Sequence, residues 1–239
     1  MLDPRVKALY ANSPRLERDY IQQVLGLRGE QAAKVGEING GIHLDEAEML
    51  CSVVNQINPA ESLEIGLGYG FSAMTICTSG QRPSEQRRHV VIDPHQTQYW
   101  NGTGLRHLND AGLSAMIEFK EDVSYRVLPD LEHQKQRFDL AFIDGWHTFD
   151  FVFVDFFYID KLLKIGGVVV FDDADWDSIR PVLRYVVTNL DYEVYASTPE
   201  RKPESRSDSD LGLVGSCIAL QKTGDSRGRE IFYHRSFTG

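Results

Sequence analysis

Two groups of residues in this 239-residue sequence have types and spacings suited to chemistry. The first is Glu64-Ile65-Gly66-Leu67-Gly68-Tyr69-Gly70, with Ser72 just beyond it. Glycines at alternate positions let the backbone turn sharply and approach a ligand closely. Amides opening a helix after such a turn, with Ser72 in the first turn, suit an anion such as an amino-acid carboxylate. The second group is Asp144 with His147 three residues on, together with the pair Asp172-Asp173. Clustered carboxylates repel one another unless protonated or neutralised, and an oxygen-rich set of this kind suits Mg²⁺ or another divalent hard cation. Histidine, with an unperturbed pKa of about 6.5, leaves a neutral base available near pH 7, so His147 is the candidate proton acceptor beside Asp144. Two simpler readings stay open: the acids contact a cofactor or cap a loop, and His147 is a helix-start residue bonded to backbone.

These residues cooperate only if the chain brings them to one edge, and the pattern of apolar runs supplies that arrangement. Short strands are expected at Ser62 to Ile65, His89 to Ile92, Ile117 to Lys120, Phe138 to Ile143 and Gly167 to Phe171. Helical spacing separates them, from Phe71, over Gly104 to Ala111, Val123 to Leu131 and Thr148 to Leu163, then over Ser178 to Leu190. Strand–helix–strand units at this spacing make right-handed crossovers, hence an α/β, Rossmann-like doubly wound sheet, mostly parallel, with helices on both faces. Tyr192 to Ala196 and Ser216 to Gln221 are strand-like but joined by a polar loop without helical pattern, so an antiparallel pair should end the sheet.

Upstream, residues 5–35 have helical spacing and form an expected N-terminal helical extension. Asp45 with Glu48 reads as a capping box opening a further helix that runs to about Asn58-Pro59. One domain is expected, with residues 1–44 as extension, 45–222 as core and 223–239 as tail. In the Phe149–Tyr158 stretch, Asp150 and Asp155, with Asp160 beyond, read as the solvated side of a helix. Phe151 and Tyr158 fall on another face, which offers an aromatic surface for a homodimer.

The second strand ends at Asp93, where an acid can accept hydrogen bonds from both hydroxyls of a ribose. The third ends near Asp122 and Ser124, positions for polar contacts to adenine or for a helix N-cap. A dinucleotide loop of the form G-x-G-x-x-G would need glycine at position 71, where Phe71 stands. A formal net charge of -10 argues against nucleic acid as partner, since phosphate neutralisation needs clustered Lys and Arg. Cys51, Cys77 and Cys217 lie far apart and are expected as buried free thiols. The N-terminus lacks a signal-peptide apolar core and no run approaches a membrane span, so a cytoplasmic location without membrane contact is expected.

Leu63-Glu64-Ile65-Gly66-x-Gly68-x-Gly70-Phe71-Ser72, Phe142-Ile143-Asp144-Gly145-x-His147 and Gly166-Gly167-Val168-x-x-Phe171-Asp172-Asp173 occur in order and, over roughly residues 40–222, resemble class I methyltransferases of the catechol O-methyltransferase type and their small bacterial relatives. The resemblance implies seven strands with the last antiparallel, and S-adenosylmethionine as cofactor. It implies Glu64 and the glycines at the methionine portion, Asp93 at the ribose, and Ser124 with Trp146 at the adenine. Asp144, Asp172 and Asp173 fall where the family binds metal, although Asp173 stands in place of an asparagine. His147 falls where the catechol enzymes carry a catalytic lysine. The expected reaction is methyl transfer to a hydroxyl oxygen of a small hydroxylated acceptor. A nicotinamide-dependent oxidoreductase and a non-catalytic cofactor-binding domain are the rival expectations. His43 and His95 are further residues that could line the site, and the loop at residues 174–180, with Trp176, is expected to help choose the acceptor.

Overall fold

The computed structural model describes residues 1–12, 41–199, 205–225 and 233–237. Helix α1, Pro4–Ala11, begins where the Asp3 carboxylate accepts from the Arg5 amide and proline occupies the first turn. It seats the fully buried Val6 in the core. The remainder of the expected N-terminal extension, residues 13–40, lies outside the described residues.

Helix α2, Leu44–Ile57, opens two residues earlier than Asp45 and Glu48 suggest. His43 is the N-cap, and its amide donates to the Glu46 carboxylate at 2.6 Å. Asn58, with φ 47°, turns the chain out of the helix, and β1, Glu61–Ile65, follows Pro59. The chain then runs α3 (Phe71–Thr78), β2 (Arg88–Ile92), α4 (Thr103–Asp110) and β3 (Ile117–Lys120). It continues with α5 (Ser124–His133), β4 (Phe138–Ile143), α6 (Phe149–Leu162) and β5 (Leu163–Phe171). Helix α7 (Arg180–Asn189), β6 (Tyr192–Ser197), the short α8 (Arg206–Asp210) and β7 (Ile218–Lys222) complete the order.

The seven strands lie in the order β3-β2-β1-β4-β5-β7-β6, parallel except for β7, which is antiparallel to both β5 and β6. The sheet separates two apolar layers because alternate residues of each strand face opposite sides. Leu63, Ile65, Val90, Ile92 and Ile143 belong to the layer with Leu128, Val152, Phe156 and Val182, whereas Val91, Phe142 and Val170 belong to the layer with Leu50, Val54 and Phe71. Strands covered on both faces read as near-continuous apolar runs, as Phe138–Ile143 does. Because β1 leads outward to β2 and β3 while β4 returns to its other side, the carboxyl ends of β1 and β4 form the switch point where such sheets bind ligands.

The terminal strand pair appears as expected, with β7 inserted between β5 and β6. The loop before it holds α8, which its polar composition conceals. Ser205 caps that helix and the buried Asp208 takes both a 2.6 Å and a 2.8 Å hydrogen bond from Arg184.

The acids of α6 depart from expectation. Asp155 and Asp160 are 1 % and 4 % exposed rather than solvated. Asp160 is stabilised by the Tyr192 hydroxyl at 2.9 Å and the Lys222 ammonium at 3.4 Å, partners that arrive from strands more than thirty residues downstream. The outward apolar residues of α6 are Phe149, Val154 and Phe157, instead of Phe151 and Tyr158. All three cysteines are buried free thiols.

Candidate active site

The glycine loop is shaped by its own φ angles: Gly66, Gly68 and Gly70 take 91°, 49° and 83°, a region where a Cβ is strained. A Cβ on Gly66 would also overlap the carbonyl oxygen of Asp144. The loop after β1 is therefore in backbone contact with the loop after β4, and the Asp144 amide donates to the Ile65 carbonyl at 2.9 Å. Gly70 is the N-cap of α3, so the loop delivers the chain into a helix start.

Asp93 holds the loop in place. One carboxylate oxygen accepts from the Leu67 and Gly68 amides, each at 3.0 Å, and from the Gln96 amide group at 3.1 Å. The other accepts from the His95 amide at 2.7 Å. Gln96, which also donates to the Gly68 carbonyl at 2.7 Å, escaped sequence reasoning because its sole cue is a position three residues past an acid.

Glu64 and Ser72 differ from expectation. Glu64 is 0 % exposed, and its carboxylate accepts from the Ser72 hydroxyl and bonds the His89 ring nitrogen at 2.7 Å. The other His89 ring nitrogen meets the Ser62 hydroxyl at 2.9 Å. Both groups are thus consumed in a buried chain beneath the loop. Side-chain alternation explains this: Glu64 and His89 sit on paired strands β1 and β2 and point to the same face. This chain ties the start of α3 to β1 and β2.

At the ends of β4 and β5, Asp144 and Asp173 lie at the His147 ring, and the charge of Asp172 acts on Asp144. The His147 ring nitrogens lie 3.8 Å from Asp144 Oδ1 and 3.4 Å from Asp173 Oδ2. These are ion-pair distances, longer than good hydrogen bonds. Asp144 keeps 23 % of its side chain accessible. Burial, followed by the charges of Asp172, Asp173, Glu64 and Glu46, raises its carboxyl well above the ordinary range. Burial lowers His147 to about 4, so the imidazole is neutral at pH 7. The His147 backbone carbonyl accepts from the Ser178 hydroxyl at 2.7 Å, and the Trp176 ring lies 5.3 Å from the imidazole. Trp176, 45 % exposed, belongs to the loop expected to meet the acceptor.

As arranged, the three acids do not make a metal-binding set: among the described residues no group of three or more His, Cys, Asp or Glu could hold a metal ion. Asp173, with φ 47°, has its carboxylate at the His147 ring.

The remaining positions surround the end of β3. Ser124 opens α5 and is buried, while Asp122 is half-buried, with its carboxylate on the Val123 amide at 2.8 Å and near Arg126. Val123 is the N-cap, so neither Asp122 nor Ser124 fills that position. Trp146, half-buried, has its ring 6.4 Å from that of Phe151, which in turn meets Tyr125 at 6.0 Å. His95 is half-buried beside Tyr99, whereas His43 is exposed at the start of α2.

Comparisons with known proteins agree with this geometry. Residues 63–174 match a family model described as a methyltransferase domain. The chain is 32% identical over 137 residues to tapetum-specific methyltransferase 1 of Arabidopsis thaliana, covering 57% of this chain and 56% of that protein. It is 26% identical over 158 residues to a caffeoyl-CoA O-methyltransferase of Populus kitakamiensis, covering 65% and 64%. It thus spans less than two thirds of the length of these curated relatives. Among solved structures, an O-methyltransferase from Bacillus cereus in complex with S-adenosylhomocysteine superposes with a TM-score of 0.61 at 17% identity, covering 91% of this chain and 100% of that one. TomG, an O-methyltransferase from Streptomyces achromogenes involved in tomaymycin synthesis and solved with S-adenosylmethionine, gives 0.62 at 16%, covering 94% and 92%. Strand order and superposition give this chain the fold of these two structures, a seven-stranded sheet in the order 3-2-1-4-5-7-6 with an antiparallel β7, and its sequence is similar to a methyltransferase domain over residues 63–174 and to plant caffeoyl-CoA O-methyltransferases over part of its length.

Proposed function

We propose that the protein transfers a methyl group from S-adenosylmethionine to a hydroxyl oxygen of a small acceptor, with His147 receiving the acceptor's proton. The observation that carries this reading is the backbone contact between Gly66 and Asp144, which brings the glycine loop and the Asp144–His147–Asp173 group to one edge of the sheet.

The residues present fit the donor. Three positive-φ glycines keep the loop bare of side chains, and the α3 N-terminus supplies amides for a carboxylate. Asp93 Oδ1 accepts one hydrogen bond from protein, leaving lone pairs for a ribose hydroxyl. Ser124 and Trp146 flank the position for adenine. When bound, S-adenosylmethionine supplies a methyl group on a positively charged sulfur.

The protein contributes alignment and proton removal. The acceptor oxygen forms its bond to the methyl carbon as the carbon–sulfur bond breaks, and the hydroxyl proton passes to the His147 ring. A neutral imidazole is available for this at pH 7, and the imidazolium that forms is flanked by Asp144 and Asp173. The acceptor is small, hydroxylated and not a nucleic acid, given the net charge of -10. Among the described residues no helix is long and apolar enough to cross a membrane. The exposed Phe149, Val154 and Phe157 give the homodimer expectation its surface.

Calorimetry with S-adenosylmethionine, S-adenosylhomocysteine and NAD tests the reading. Binding of the first two without NAD supports it, and tight NAD binding with no affinity for either sulfur compound overturns it. A panel of hydroxylated acceptors, with methyl transfer as readout, separates an enzyme from a non-catalytic binding domain.

A further inference from the structure

Asp155 is the acid that the mechanism leaves unused. It lies on α6, is 1 % exposed, and its Oδ1 has no hydrogen-bond partner. A buried acceptor without a donor is costly, and such atoms call for an explanation. Its surroundings supply one. Phe151 precedes Asp155 by one helical turn, so both project from the same face of α6. That face meets the start of α5, where Ser124 is buried and the Tyr125 ring packs edge-on against Phe151. On the other side stands the loop after β4: an ideal Cβ on Gly145 would lie 3.8 Å from Asp155 Oδ2, and the Trp146 ring faces Phe151. Three aromatic rings therefore border one polar end built from Ser124 and Asp155.

We infer that Asp155 is a specificity-determining residue for the donor's base, its Oδ1 accepting the exocyclic amino group of adenine while Trp146, Phe151 and Tyr125 border the ring. Aromatic side chains suit a flat heterocycle, and an amino group at its edge supplies the donor Oδ1 lacks. Burial raises the Asp155 carboxyl to about 7 against the opposing pull of Ser124, and a hydrogen-bond donor at Oδ1 would favour its charged form. The inference rests on the donor reading above and adds the residue that distinguishes adenine from other purines.

The experiment compares S-adenosylhomocysteine with its 6-deamino analogue, purine replacing adenine, by calorimetry on the full-length protein. Wild type should bind the analogue about ten- to a hundredfold more weakly, the value of one hydrogen bond to a charged group. Asp155→Leu should bring the two affinities together by weakening S-adenosylhomocysteine alone. Asp155→Asn, which keeps an acceptor oxygen and nearly the same shape, should retain part of the preference and serves if the leucine variant does not fold. Equal wild-type affinities, or a preference unchanged in Asp155→Leu, overturn the assignment and leave the methyl-donor reading standing. Failure of wild type to bind S-adenosylhomocysteine at all overturns both.

Discussion

Replacing His89 by leucine puts the buried polar chain under the glycine loop to the test. Glu64 is 0 % exposed and its carboxylate has two side-chain partners, His89 at 2.7 Å and the Ser72 hydroxyl. Removing His89 leaves a buried acid with half its support. Breaking a buried pair from one side costs about 3–5 kcal/mol, because the remaining group is neither solvated nor neutralised. At about 2–4 °C per kcal/mol for a domain of this size, the midpoint of thermal unfolding should fall by about 10 °C. The double variant Glu64→Leu/His89→Leu removes both members, and apolar replacement of a whole buried pair is often near neutral. Urea denaturation of wild type, both single variants and the double variant closes the cycle. The double variant should be more stable than His89→Leu alone. A cost below about 1 kcal/mol for His89→Leu, or additive costs in the double variant, would refute the claim that these residues act as one unit.

Other outcomes follow from the same geometry. His147→Ala should lower turnover by about 10²- to 10⁴-fold while S-adenosylhomocysteine affinity in calorimetry stays near wild type; an unchanged rate removes His147 as the base. Because burial lowers His147 to about 4, turnover should fall on acidification with a midpoint near 4, and an acid limb near 6.5 in the pH–rate profile would place the proton acceptor elsewhere. In ligand-free protein, Asp155 has its carboxyl raised from 3.8 to about 7, so the folded state binds this proton more tightly than the unfolded chain. Stability is then lost as pH rises from about 4 through about 7, by up to about 4 kcal/mol. Asp155→Asn should remove that loss, becoming more stable than wild type at pH 8 and not at pH 4, as read by denaturant midpoints. Gly66→Ala forces a Cβ onto the Asp144 carbonyl at a φ of 91°. It should cost at least about 1–3 kcal/mol from backbone strain alone and reduce cofactor binding and turnover together. Wild-type behaviour in both assays would sever the proposed link between the two loops.

The sheet was readable from sequence because parallel strands covered on both faces leave runs such as Phe138–Ile143 between helical patterns, and strand edges came within a few residues. The site was readable to the extent that its chemistry sits at strand ends: Asp93, Asp144 and Asp172 each follow a strand directly. What side chains do at those ends was harder to see. Glu64 precedes the glycines, but its partner His89 comes from the neighbouring strand, and no local spacing links them. Asp155 and Asp160 looked solvated because charges on an amphipathic helix usually are. Their burial depends on Gly145, Tyr192 and Lys222, contacts made only by the tertiary fold. Phe151 reads as an outer residue for the same reason, because its neighbours Tyr125 and Trp146 come from α5 and from the loop after β4.

The two halves of the proposed site are joined by backbone rather than by side chains, and this bears on how the reaction is aligned. The Gly66 amide bonds the Ile92 carbonyl at 2.8 Å, and the Asp144 amide bonds the Ile65 carbonyl at 2.9 Å. The loop that would hold the donor is therefore pinned between the ends of β2 and β4. His147 follows Asp144 by three residues, and its carbonyl is held by Ser178 beyond β5. The position of the base relative to the donor loop is thus set by strand register across four adjacent strands, each parallel to the next. Rigid elements hold reacting groups more closely than loops alone can, and methyl transfer depends on such alignment. Trp176, exposed and adjacent to the His147 ring, lies outside that register. The donor half of the proposed site thus rests on the sheet, whereas Trp176 reaches the His147 ring from a loop after β5.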